Sequence, residues 1–335
     1  MGRLVESGRS GGTRAVDNRR YKRVYPETLG SRMNSRITTP LVSVIVPAYN
    51  RPSQLAEALD SLCAQTQQPH EVVVYDDGSS DDLQAVVSRF SSSLCIRYLR
   101  GTGSGSAAFP RNQAAAVSTG NWLAFLDSDD GWYPTKIEKL HRYISTGVDV
   151  IYHPLKIIRS RPRTVLDRLS ITGTDCGADP LRHIALINNP IPTSGAAVRA
   201  LAYQAAGGFC TEQPLAEDFD LWWRIAQGGG RFVFVPEVLG WYRISPDAIS
   251  TASVRNAQAI SAVYERNRSS LPYSWTQAST AAMHLALARE MLAIQRPDLA
   301  RHHLLLAKPL STPSQRWKRL AAYLFSWTLA PRVHR

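Results

Sequence analysis

Three acidic groups in this 335-residue chain have the composition and spacing to do chemistry. Asp76 and Asp77 precede Gly78 and Ser79, Asp127, Asp129 and Asp130 fall within four residues, and Glu217 and Asp218 stand beside Asp220. Like charges at such density repel unless a cation compensates them. Alternate carboxylates suit a divalent ion such as Mg2+ or Mn2+, which keeps one or two protein carboxylates and takes its other ligands from phosphate and water. Each group also has a plainer reading. The first could be an Asx turn capping a helix that starts near Asp81, the second a cap before Pro134, and the third first-turn acids on a helix dipole. For Glu217-Asp218 the chemical alternative is a general base, a carboxylate held near a substrate hydroxyl.

The elements that would carry these residues can be read from hydrophobic pattern. Val42 to Val46 is a β-branched run that Pro47 closes, Val72 to Tyr75 a second, Ile96 to Leu99 a third and Trp122 to Leu126 a fourth, with helical spacing at 53–65, 80–90 and 110–118 between them. Strands that are nearly all apolar and alternate with helices imply a mostly parallel, Rossmann-like α/β sheet covered on both faces. Ligands in such sheets sit beyond the carboxyl ends of the strands, the places where Asp76 and Asp127 fall. Beyond residue 155 the pattern is irregular, with helical spacing at 216–227 and a strand at 231–235. From 256 onward it is wholly helical, with helices expected at 274–293, 296–308 and 314–329. Three regions follow: a flexible basic arm over 1–40, a catalytic α/β domain over 41–255 and a C-terminal helical region over 256–335.

The formal charge of +12 would invite a nucleic-acid reading if it were spread evenly. Residues 1–40 hold nine basic and three acidic side chains and residues 301–335 seven basic and none acidic, so the intervening body carries about −1. That distribution argues against a nucleic-acid groove. The four cysteines are scattered, without the pairing of a zinc or disulfide framework. With no apolar run of about 18 residues and no apolar signal segment near the start, a cytoplasmic protein is expected. The helix expected at 314–329 sets Trp317, Leu320, Leu324 and Trp327 beside Arg316, Lys318 and Arg319. Such a face either packs on the body or lies peripherally on the inner face of a membrane.

The succession SVIVPAYNR at 43–51, VVVYDDGSSDD at 72–82, PRNQAAAVSTGNWLAFLDSDDGW at 110–132, GGF at 207–209, AEDFDLWWRI at 216–225 and WYR at 241–243 resembles the nucleotide-sugar-dependent family 2 glycosyltransferases of the GT-A fold. The resemblance implies an inverting transferase that moves a sugar from a nucleoside diphosphate donor, UDP favoured, to a hydroxyl of a saccharide, lipid-linked or small-molecule acceptor. A non-catalytic donor-binding or scaffold homologue is the alternative. It also implies that Pro47, Tyr49 and Arg51 lie at the base and that Asp76, with Asp77 beside it, contacts base or ribose. Arg111 would lie near nucleotide or phosphate. Asp127 would touch ribose or a Mn2+ or Mg2+ ion, Asp129 would be the principal metal ligand, Asp218 the catalytic base and Glu217 its neighbour at the acceptor site. Trp222 and Trp223 are either acceptor-lining or core.

Two departures stand out: Cys210 follows Gly-Gly-Phe where the family often has aspartate, and Ile244-Ser245-Pro246 follows Arg243 where many members have a histidine. The small-residue stretch Gly101 to Ser106 reads as a flap or a plain connector.

Overall fold

The computed structural model describes residues 40–159, 170–213, 215–244, 253–308, 315–316 and 319–322. Its strands and helices run in the order β1 (Val42–Ala48), α1 (Pro52–Cys63), β2 (Glu71–Asp76), α2 (Leu83–Ser88), β3 (Ile96–Arg100), α3 (Ala108–Val117), β4 (Trp122–Phe125), β5 (Gly131–Trp132), α4 (Lys136–Tyr143), β6 (Val150–Tyr152), β7 (Leu155–Arg159) and β8 (Ile171–Thr172). They continue as α5 (Pro180–Leu186), β9 (Ala196–Arg199), α6 (Ala200–Ala205), α7 (Glu217–Gln227), β10 (Phe232–Phe234), β11 (Gly240–Ile244), α8 (Val254–Asn267), α9 (Tyr273–Ala293) and α10 (Pro297–Ala307).

A seven-stranded sheet has the order β10-β6-β9-β4-β1-β2-β3. β1 pairs in parallel with β2 and β4, and β2 with β3, as the apolar runs predicted. The exception is β9, antiparallel to both β4 and β6. Every residue of β1, β2 and β4 is buried, which explains why these strands lack polar alternation. Alternate residues of β1 serve opposite cores. Val42, Val44 and Val46 pack with Leu55, Leu59 and Leu62 of α1, while Ile45 joins Phe125, Trp222 and the C-terminal helices.

The first strand does not end at Pro47 but continues to Ala48. Residues of β1 bond alternately to its two neighbours: Ile45 O accepts from Leu126 on the β4 side, and Ala48 O from Asp77 on the β2 side. Pro47 therefore points its missing N–H toward β4, whose pairing has already stopped at Ile45 and Phe125, so no ladder bond is lost.

A second sheet, β5-β11-β7-β8, covers the region whose sequence pattern was irregular. Its strands of two to five residues are too short to print a period. The C-terminal helices pack on the back of α7: Trp223 and Phe219 meet Tyr264 edge-on at 5.2 and 5.5 Å. The helix expected at 314–329 lies largely outside the described residues, Trp317, Leu324 and Trp327 included; within it, Gln315 is buried and donates to Leu186 O and Ala278 O at 2.8 and 3.0 Å. Among the described residues no helix is long and apolar enough to cross a membrane.

Candidate active site

The carboxyl ends of β1, β2 and β4 meet at one lip. After β1 the chain turns through Tyr49, more than half exposed, and Asn50, whose φ of +48° lies in the left-handed region that asparagine tolerates. Asn50 closes this turn onto the next: its N–H donates to Ser79 Oγ at 2.9 Å, and its Oδ1 accepts from Ser80 N at 2.7 Å.

At the end of β2, Asp76 is wholly buried. Its Oδ1 accepts from Ser79 N at 2.8 Å and its Oδ2 from the Tyr98 hydroxyl at 2.6 Å; burial, then this bond, pushes the Tyr98 phenol up to about 12. Both oxygens are thus engaged, and Asp76 shapes the turn beneath the expected nucleotide position. Asp77 faces the Gly/Ser loop, accepting from Ser104 N at 2.9 Å and Ser104 Oγ at 2.8 Å. Gly78 has φ +81°, and a Cβ there would stand 2.6 Å from Gly103 N. The 101–106 stretch is therefore clasped across the Asp-Asp-Gly turn. The helix cap expected near Asp81 is Asp82, which accepts from Ala85 N.

After β4 the loop splits the labour of its three aspartates. Asp127 accepts from Arg111 Nη2 at 2.6 Å and Asp129 pairs with Arg51. Asp130 is buried, taking Ser194 Oγ at 2.5 Å and the Arg243 amide at 2.9 Å. Arg243 also reaches the Asp129 carbonyl at 3.1 Å and pairs with Glu57, so the arginine of Trp-Tyr-Arg holds this loop in place. Burial, then the charge of Asp127, raises the Asp129 carboxyl above its ordinary range against the pull of Arg51; burial and both neighbours raise Asp130 further.

The third acidic group arrives on α7. Ala216, just before it, has φ +57°, a conformation that costs an alanine about 1–2 kcal/mol and is held where structure over-determines it. Glu217 accepts from Arg111 Nη1 at 2.5 Å, so one guanidinium, 3 % exposed and lying over the Phe209 ring, joins the β4 loop to the start of α7. Arg111, expected near phosphate, is thus committed to two carboxylates, leaving only its Nε without a partner.

Asp218, partly buried, accepts from Thr193 Oγ1 at 3.0 Å and Asn189 Nδ2 at 3.2 Å. Burial lifts both Glu217 and Asp218 above the usual carboxylate range against the pull of Arg111, the direction a general base near neutral pH requires. Asp220 takes no part in the lip. It is fully buried and bound by Arg224 at 2.8 Å, Asn267 at 3.1 Å and Arg266 at 3.3 Å.

Trp222 is corrected from possible acceptor wall to core: it has no exposed surface and its ring lies 6.5 Å from Phe125. Trp223 is equally enclosed. The sequence reading missed Asn189, Thr193, Ser194 and Lys136. Lys136 is fully buried, donating to Ser194 O at 2.9 Å over the Trp132 ring, and burial pushes its ammonium well below the ordinary lysine value. Its place in an amphipathic helix gave no signal for this. The Pro192-Thr193-Ser194-Gly195 string is the available clue for Thr193 and Ser194.

Among the described residues no group of three or more histidine, cysteine or acidic side chains is arranged to hold an ion. Among the described residues a divalent cation would have two side-chain ligands, Asp127 and Asp129. The donor set fits: both are oxygen ligands, both side chains are partly accessible at 27 and 14 %, and the charge of Asp127, which after burial raises the Asp129 carboxyl, is what a cation taking the place of Arg51 would relieve.

Residues 43–199 match the family model described as glycosyl transferase family 2, and residues 122–289 match glycosyl transferase family group 2. The chain belongs to glycosyltransferase family 2. It is 29 % identical over 201 residues to an uncharacterized glycosyltransferase of Rickettsia prowazekii, covering 57 % of this chain and 60 % of that one. It is 36 % identical over 110 residues to the Escherichia coli UDP-Glc:alpha-D-GlcNAc-diphosphoundecaprenol beta-1,3-glucosyltransferase WfaP, covering 32 and 42 %. The matched parts span less than two thirds of either relative. Among solved structures, a mannosyltransferase from Pyrobaculum calidifontis in complex with GDP-Man and Mn2+ superposes with a TM-score of 0.57 at 22 % identity, over 87 % of each chain. This family 2 member has the GT-A fold, as its mostly parallel sheet and that likeness show.

Proposed function

We propose that this protein is an inverting, metal-dependent glycosyltransferase. It would take a sugar from a nucleoside diphosphate donor, UDP favoured, and attach it to a hydroxyl of a saccharide, lipid-linked or small-molecule acceptor. The observation that carries this reading is the Arg111 bridge, which sets Asp127, at the donor end, and Glu217, beside Asp218, on one guanidinium. Family membership supports the reaction class. The relative named for UDP-Glc and a diphosphoundecaprenol-linked substrate supports the donor base and a lipid-linked acceptor, which would bring the protein to the inner face of the membrane.

In this mechanism Tyr49 and the turns built on Asn50 and Asp76 receive the nucleotide. Asp127 and Asp129 would hold the divalent ion, which supplies charge neutralisation for the departing diphosphate. Asp218 takes the proton from the acceptor hydroxyl as that oxygen attacks the anomeric carbon opposite the leaving group; Thr193 and Asn189 orient the carboxylate for it. Glu217, held by Arg111, keeps the first turn of α7 fixed while the neighbouring charge changes. One displacement inverts the anomeric centre.

The test is turnover of UDP-glucose and GDP-mannose with Mn2+, comparing wild type with Asp129→Ala and Asp218→Asn. Loss of turnover in both, with UDP binding retained in Asp218→Asn, is the expected result. Full activity in both variants would refute the assignment, and donor binding without transfer to any acceptor would favour the non-catalytic reading.

A further inference from the structure

Ser194 lies on a single 3-10 turn, Thr193–Gly195, and is 2 % exposed. Four bonds leave it toward the β4 loop and its supports. Its Oγ donates to Asp130 Oδ2 at 2.5 Å and accepts from Asp127 N at 3.1 Å. Its carbonyl accepts from Trp132 Nε1 at 2.8 Å and Lys136 Nζ at 2.9 Å. The adjacent Thr193 points the other way, donating to Asp218 Oδ2 at 3.0 Å. The turn packs directly on the chain that leaves β6: a Cβ on Gly195 would stand 2.5 Å from His153 O.

We infer that the Thr193–Gly195 turn is a strut that fixes the separation of the two chemical ends of the site, with Ser194 the positioning residue for the Asp127–Asp130 loop and Thr193 the positioning residue for Asp218. The inference rests on the reading of Asp127 and Asp129 as the donor end and Asp218 as the base. An in-line displacement needs its leaving group and its base on opposite sides of one carbon, and misplacement of either by about 1 Å costs on the order of 100-fold in rate. Two hydroxyls on consecutive residues, one bonded to each end, remove that freedom. Arg111 makes a second link between the β4 loop and α7, but through Glu217, leaving Asp218 itself to be oriented by Thr193 and Asn189.

The test uses the full chain and separates the two arms. Ser194→Ala should speed hydrogen exchange in the segment 126–132 and weaken Mn2+ binding, read by electron paramagnetic resonance on the metal alone, by about tenfold, the scale found for groups that orient metal ligands. Thr193→Val should leave Mn2+ affinity and the KM for UDP-glucose unchanged while lowering kcat about tenfold, and Thr193→Ser should restore kcat. Exchange and Mn2+ affinity within twofold of wild type in Ser194→Ala would overturn the inference. So would a Thr193→Val loss that Thr193→Ser does not rescue, or a uniform rise in exchange across the protein in both variants. If Ser194→Ala does not fold, the half-buried Thr193 pair decides. A wild type that turns over no sugar nucleotide refutes the proposed function instead, and the exchange arm still reads the strut.

Discussion

Replacing Arg111 by methionine removes the one cation shared by Asp127 and Glu217 and leaves their carboxylates facing each other in a slot where the guanidinium was 3 % exposed. Each pair, at 2.6 and 2.5 Å, corresponds to a Coulomb attraction of about 4 kcal/mol for charge centres some 4 Å apart at an effective dielectric near 20. The full sum is not lost, because the methionine no longer has to desolvate a guanidinium and because a stranded carboxylate can take up a proton. Protonating a glutamate at about pH 7.5 costs ~4 kcal/mol, which caps the penalty per group. The expected net destabilisation is ~3–5 kcal/mol, as for other broken buried pairs. Since proton uptake sets that cap, the loss should shrink by up to ~1.4 kcal/mol per pH unit as the solution is acidified. Urea unfolding of wild type and Arg111→Met at about pH 7.5 and about pH 5.5 measures both quantities. Adding Glu217→Gln to the variant should recover ~1–2 kcal/mol at the higher pH, because one stranded charge is gone. A loss below ~1 kcal/mol, or an equal loss at the two pH values, would refute the bridge as the link between the β4 loop and α7.

Two further outcomes follow from the same geometry. Glu217 and Asp218 have folded-state values raised by burial, so they bind protons more tightly in the folded protein. Their contribution is fully present below the unfolded carboxylate value and is lost as pH rises through the folded one. As pH rises from about 4, the ordinary carboxylate value, the melting temperature of wild type should therefore fall relative to that of Asp218→Asn, and parallel melting curves would count against it. Gly78→Ala places a Cβ 2.6 Å from Gly103 N at a φ of +81°. It should cost more than ~2 kcal/mol in urea unfolding and release the Ser104 amide to hydrogen exchange, whereas a cost under ~0.5 kcal/mol would mean the turn rearranges freely.

What could be read from sequence follows burial. β1, β2 and β4 are enclosed on both sides, so their composition alone announces them, and the acids that follow inherit a predictable place at the lip. β9 has just as enclosed a face, but its four residues carry no direction, and antiparallel entry between β4 and β6 is decided by pairing across the chain. The D-x-D and Glu-Asp groups were legible as candidates because they follow one another in order at a strand end and a helix start, although each also has a capping or dipole reading. The hydroxyls that hold them, and the Lys136 ammonium that holds the Ser194 carbonyl, were not, since Ser194 meets Asp130 across 64 residues and nothing local marks either end. Trp222 illustrates the converse: in a helix whose first turn holds site residues, an aromatic can face the lip or the core, and only packing against Phe125 decides.

Asp220 has a consequence for how this protein can change over generations. Its carboxylate, two residues beyond Asp218, is bound by Arg266 and Asn267 of α8 or its edge, and the Trp223 ring beside it rests on Tyr264. A fragment ending after β11 would keep all the motifs quoted from the sequence and yet strip those partners from the helix that presents Asp218, the proposed base. Under the proposed mechanism the C-terminal helices are therefore constrained by turnover as well as by folding. Substitutions at Tyr264, Arg266 or Asn267 would be selected through the rate of a reaction that none of them touches.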